Sequence, residues 1–199
     1  MSARLTGFGV SVRVEGPHRI ERVADAPETV LRVWRSGSSV DVDVLAGSGL
    51  VESRVEIVPG SARAAWGIET PGYQCIWPHG LALSSDPDGT SPFLLLGPDE
   101  SLAWISGPVA RERAWPIESL AAEGQKVRAI AEAEGGEDAR IDLDYVEDGE
   151  LWWQRRYVRG WGEGRVLVLS VQARAAHEDV MRAAIDLVEA SLAPAERPS

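Results

Sequence analysis

The stretch Ala139-Arg140-Ile141-Asp142-Leu143-Asp144-Tyr145-Val146-Glu147-Asp148-Gly149-Glu150-Leu151-Trp152-Trp153-Gln154-Arg155-Arg156-Tyr157-Val158-Arg159 decides how this chain folds. Its first arm places Ile141, Leu143 and Tyr145 on one face and Asp142 and Asp144 on the other, the period of two of a half-buried strand. Asp148-Gly149 is a strong hairpin turn, because a two-residue turn needs left-handed backbone that Asp and Gly tolerate. Leu151 to Arg159 then returns. On that arm Trp153, Arg155, Tyr157 and Arg159 share one face, and Trp152, Gln154, Arg156 and Val158 the other.

Upstream, the period changes after Trp115. Ile117, Leu120, Ala121, Gly124, Val127, Ile130 and Ala131 recur at helical spacing. Pro116 suits a first helical turn, where its missing N–H has no partner to lose, and Gly135-Gly136 would stop the helix. Downstream, Arg165 to Ala173 is a third arm. His177 to Leu192 is a closing helix with the apolar stripe Val180, Met181, Ala184, Ile185, Val188 and Leu192. Glu178 and Asp179 sit in its first turn, where the helix dipole favours anions.

The first half reads as strands and turns. Phe8, Val10, Val12 and Val14 alternate with polar or small residues before Gly16-Pro17 breaks the run. Thr29–Arg35 and Ser39–Leu45 form a hairpin across Ser36-Gly37-Ser38, and 51–58 with 62–69 repeat the pattern across Pro59-Gly60-Ser61. The whole predicts an α+β fold: a mostly antiparallel β-sheet with two main amphipathic helices packed on it and a β-rich N-terminal half. Residues 1–193 are expected to form a single composite α+β domain, divisible into a β-rich subdomain 1–77 and a second 78–193, with 194–199 as a flexible tail.

Composition narrows function by exclusion. The net charge of −11 argues against nucleic-acid binding, which relies on neutralising phosphates, and against docking on an anionic membrane. The 20 basic residues comprise 19 Arg and Lys126, which reads as a GC-rich bacterial coding bias. A single cysteine, Cys75, excludes an internal disulfide and suits a reducing compartment. No export or lipid-attachment pattern opens the chain, and no run reaches the roughly 20 apolar residues of a membrane span. A cytoplasmic protein is expected. Eight Trp against two Phe is unusual; most are expected at core and half-buried sheet positions.

Catalytic and metal constellations are sparse. Cys75-x3-His79 has metal-like spacing, but a structural zinc site needs four ligands, and no cofactor is expected. His18 and His177 are isolated in sequence, and no Gly-x-Ser-x-Gly elbow exists. Cys75 has no positive neighbour to make a thiolate. Gly160-Trp161-Gly162-Glu163-Gly164 is not followed by a helix, so it reads as a hairpin turn and not as a phosphate loop. Asp86-Pro87-Asp88-Gly89 lacks the further ligands of a calcium loop. Asp41/Asp43 and Asp142/Asp144 are paired carboxylates, better explained as solvated sheet faces.

The aromatic–arginine set Trp153, Arg155, Tyr157 and Arg159, with Trp161 at the adjoining turn, has the composition of interaction hot spots and is the expected contact face for a protein partner. The competing reading is cross-strand pairing with Asp142 and Asp144.

From Gly80 onward the order of elements resembles the Mog1/PsbP-like fold. The matching pieces are Gly80–Ser84, Phe93–Pro98, Leu102–Pro108, the helix from Pro116, the hairpin around Asp148-Gly149, the strand Val166–Gln172 and the final helix through Leu192. The resemblance spans roughly residues 80–193 and implies an α/β/α sandwich whose members mostly bind proteins. The expected function is therefore a non-enzymatic protein-binding domain of accessory, immunity or chaperone type. The alternatives are a small-molecule or hydrolytic domain with a Trp-lined cleft using Asp142, Asp144 or His79, and a homodimer.

Overall fold

The computed structural model describes residues 3–46, 49–52, 55–85, 91–133 and 138–195. The chain folds as two compact units. One comprises Met1–Leu95 with Asp186–Ser199, and the other Leu96–Ile185.

The first unit opens with β1 (Arg4–Gly7), β2 (Val10–Val14), β3 (Arg19–Arg22), β4 (Val30–Arg35) and β5 (Ser38–Asp43). It continues with β6 (Gly49–Glu52), β7 (Val55–Pro59), β8 (Gly67–Glu69), β9 (Tyr73–Ile76), β10 (Ala82–Ser84) and β11 (Leu94–Leu96). The Ser36-Gly37 turn adopts positive φ at both residues, 47° and 83°. That geometry matches the twist of β4 and β5, which pair from Val30↔Asp43 to Arg35↔Ser38. The core takes the alternating apolar positions: Leu5, Val12, Val14, Ile57, Ile68, Tyr73 and Cys75 are almost wholly buried. Trp66 and Trp77 are 1% exposed, and their indole N–H groups donate to the carbonyls of Glu28 and Leu81. Each ring thereby buries its area without stranding its one polar atom.

The second unit is a meander: β12 (Leu102–Ala110), β13 (Lys126–Glu132), β14 (Ala139–Glu147), β15 (Glu150–Gly160) and β16 (Arg165–Arg174). The order across the sheet is β13-β14-β15-β16-β12, all antiparallel. Asp148 and Gly149 take φ of 50° and 80°, as a two-residue turn demands. Helix α1 (Glu178–Ser191) follows a single 3-10 turn at Ala175–His177 and crosses from this unit into the first. Met181, Ile185 and Val188 are buried, whereas Val180 on the expected stripe is 57% exposed. Last comes β17 (Ala193–Pro194), which pairs with β9 in the first unit's seven-stranded sheet, order β17-β9-β8-β1-β2-β7-β6. Pro194, expected in a tail, is thus in a strand; residues 196–199 lie outside the described residues, as do Asp86–Gly89 and Gly135-Gly136.

The expectation of two main helices is overturned: among the described residues there is one α-helix, of 14 residues. Only Ile117–Leu120 of the expected first helix coils, as a single 3-10 turn behind Pro116. Gly124 sits at φ 85°, outside helical space, and Lys126–Glu132 is a strand. The cause of the misreading is a bulge. The register slips between Val127 and Ala129, so Val127 opposes Leu143 and Ile130 opposes Ile141. One extra residue places positions three apart on the same sheet face, which mimics a helical period.

Candidate functional site

The two faces of the second unit's sheet are built differently. On the first, Arg155 opposes Asp142 across β14 and β15, and its Nε and Nη2 donate to the two carboxylate oxygens at 2.7 and 3.1 Å. Both residues are buried. Arg182 of α1 lies over the Trp153 ring at 4.7 Å and reaches Asp142 at 3.4 Å. It also pairs with Glu178, which binds Arg128 at 2.6 Å, and Arg128 binds Asp144 at 2.6 Å. Hydrogen bonds to Asp144 and then to Glu178 hold the Arg128 guanidinium above its ordinary pKa range.

The expected contact face is thereby located. Trp153 and Arg155 are closed off, at 0% and 2% exposure, beneath this network. Tyr157, whose hydroxyl donates to Asp138 at 2.9 Å, is half-buried, as are Arg159 and Trp161. The cross-strand pairing weighed against a binding face is what Arg155 does. The reading of Asp142/Asp144 as a solvated face is corrected for Asp142, because α1 contributes Arg182 above it. Asp41 behaves as a surface pair, bound at 2.6 Å to its cross-strand neighbour Arg32, whose hydrogen bond holds the carboxyl below its usual range.

The opposite face carries a small core at one end: Ile117, Ala139, Ile141, Leu143, Val158, Val166 and Val168. Gln154 follows, buried and accepting from Gln125 at 2.8 Å. At the far end, beside the β14–β15 turn, the same face opens into a cleft of about 350 Å³ lined by Glu100, Leu102, Glu147, Asp148, Glu150, Trp152, Gln172 and Arg174. Trp152 forms its floor, stacked on Tyr145 with centroids 6.1 Å apart. Arg174, the register partner of Trp152, lies over the indole at 5.7 Å and binds Glu150 at 2.6 Å and Glu100 at 3.3 Å. Glu147 and Asp148 make no ion pair among the described residues.

Two features of this cleft work against stability. Glu147 and Glu150 stand directly opposite each other, a like-charge cross-strand pair. Glu100 sits beside Asp99 in a tight turn with both residues at positive φ, 63° and 44°, where a Cβ costs roughly 1–2 kcal/mol per residue. Asp99 is pinned by His177 at 2.6 Å and Glu100 by Arg174.

The remaining candidates do not assemble. Cys75 is buried, and burial pushes its thiol up to about 12. His79 is exposed and faces Glu28 at 3.3 Å. His18 is buried, which lowers its pKa. No group of three His, Cys, Asp or Glu could hold a metal among the described residues, and no helix among them is long and apolar enough to cross a membrane. The Gly160–Gly164 segment is a turn between β15 and β16, closed by Trp161 N–H to Arg165 O at 2.8 Å. Sequence reasoning missed Arg174, Glu100 and Gln172 at the cleft. The available signal was Trp152 on the second face of β15, next to the acidic turn Glu147–Glu150.

No family model and no curated protein matches this chain. Among solved structures it is similar to one described as the crystal structure of LpqN, involved in cell envelope biogenesis of Mycobacterium tuberculosis. The two are 17% identical, with a TM-score of 0.45, over 64% of this chain and 86% of that one.

Proposed function

We propose that this protein is a non-enzymatic binding module that engages a protein partner at the β14–β15 hairpin end, through the Trp152 cleft. The observation that carries the reading is the convergence of two stability costs on one cavity, the opposed Glu147/Glu150 pair and the left-handed Asp99-Glu100 turn. Local conflicts of this kind concentrate where function retains them. This moves the contact site from the Trp153/Arg155 face to the opposite face of the same strand.

Site-specific photocrosslinking tests it. A photoreactive phenylalanine at position 102, on the cleft wall, is expected to trap one discrete protein adduct in cells, whereas the same residue at exposed position 58 of the first unit is not. Equal adducts at both positions, or a discrete adduct only from position 161, would sink the assignment.

A further inference from the structure

We infer that the Trp152 cleft receives an arginine side chain from a basic segment of its partner, and that Arg174 is a resident competitor for the same place. This rests on the binding-module reading and specifies its ligand chemistry. The cleft already displays one guanidinium in its preferred setting, with Arg174 over the Trp152 indole and bridging Glu150 and Glu100. Planar guanidinium suits both demands, since it stacks on an aromatic face and forks onto carboxylates, which a lysine ammonium does less well.

The charge balance calls for a second cation. Four carboxylates line the cleft against one guanidinium, and Glu147 and Asp148 have no ion-pair partner among the described residues. The Arg174 Nε is buried without a hydrogen bond, so its present seat is incompletely satisfied. Trp152 is only 6% exposed, so an incoming group reaches the ring by displacing Arg174 and reaches the rim at Glu147 and Asp148 without doing so. A protein of net charge −11 adds long-range attraction for a basic segment.

The experiment is titration of the full chain with a capped Gly-Arg repeat hexapeptide, followed by calorimetry. Its Gly-Lys and Gly-Glu counterparts, and spermidine, serve as comparisons. The arginine peptide is expected to bind most tightly. Glu147→Gln/Asp148→Asn should weaken it about tenfold, whereas neutralising two remote acids, Glu56→Gln/Glu132→Gln, should leave it unchanged. Arg174→Gln should tighten it several-fold, because a competitor is removed; weakening by that variant would overturn the competitor role. Equal loss from the remote pair, or spermidine binding as tightly as the arginine peptide, would overturn the arginine assignment. Absence of peptide binding with a position-102 adduct intact would remove the ligand chemistry and leave the module standing; loss of both would remove both.

Discussion

Asp142 and Arg155 show how far a pair of charges can be taken from water when neighbouring elements complete their hydrogen bonds. Arg155 forks onto Asp142, and Arg182 adds a further donor from α1. Removing one partner leaves the other buried and uncompensated. Asp142→Ala is therefore expected to cost about 3–5 kcal/mol, read from denaturant unfolding. The double replacement Asp142→Leu/Arg155→Met should cost less than that single change. Tyr73 and Cys75 alternate on β9, both buried, and burial raises both pKa values. An unfolded thiol ionises near 9.0, while the folded one retains its proton to about 12. Unfolding thus releases a proton between these values, and stability falls as pH rises from 9. The urea midpoint is expected to drop above pH 9, less steeply in Cys75→Ala; a flat profile to pH 11 would refute this.

At the scale of elements, period-two alternation was readable at two of the three expected hairpins; the one across Pro59-Gly60-Ser61 does not form, because β7 pairs with β2 and β6 while β8 pairs with β1 and β9. The Ser36-Gly37 and Asp148-Gly149 hairpins have the arms expected from their residues. The Asp148-Gly149 turn depends on left-handed backbone at both positions, and no heavy atom outside the turn crowds a Cβ at Gly149. Gly149→Ala should cost about 1 kcal/mol through conformation alone, measurable as a shift in thermal midpoint. β13 was not legible, because its bulge at Arg128 spaces Val127 and Ile130 as a helix would. The binding face was half legible. Alternation separated Trp153 from Trp152 correctly, but burial of Trp153 follows from Arg182, 29 residues further along, and a local pattern carries no information about that contact.

At the scale of the molecule, the first unit is discontinuous. Residues 186–199 belong with 1–95, contributing buried Val188 and Leu192 and the edge strand β17. Ser191 Oγ accepts from the Ile76 N–H at 2.9 Å. The chain divides between Leu95 and Leu96 and again between Ile185 and Asp186, a division set by contacts distant in sequence. Truncation after Ile185 is expected to destabilise the first unit. The readout is loss of hydrogen-exchange protection at Cys75 and Ile76 with protection in β14–β16 retained; unchanged protection in β9 would contradict it.

That discontinuity has a consequence for biosynthesis. Gln74 meets Pro194 across 120 residues of chain, so a ribosome working at 5–20 residues per second needs on the order of ten seconds to supply the missing strand. Throughout that interval the nascent first unit presents β9 with one edge bare, an open template for any passing strand. Bare strand edges template pairing between chains, so shielding of β9 during translation is expected to raise the yield of folded protein.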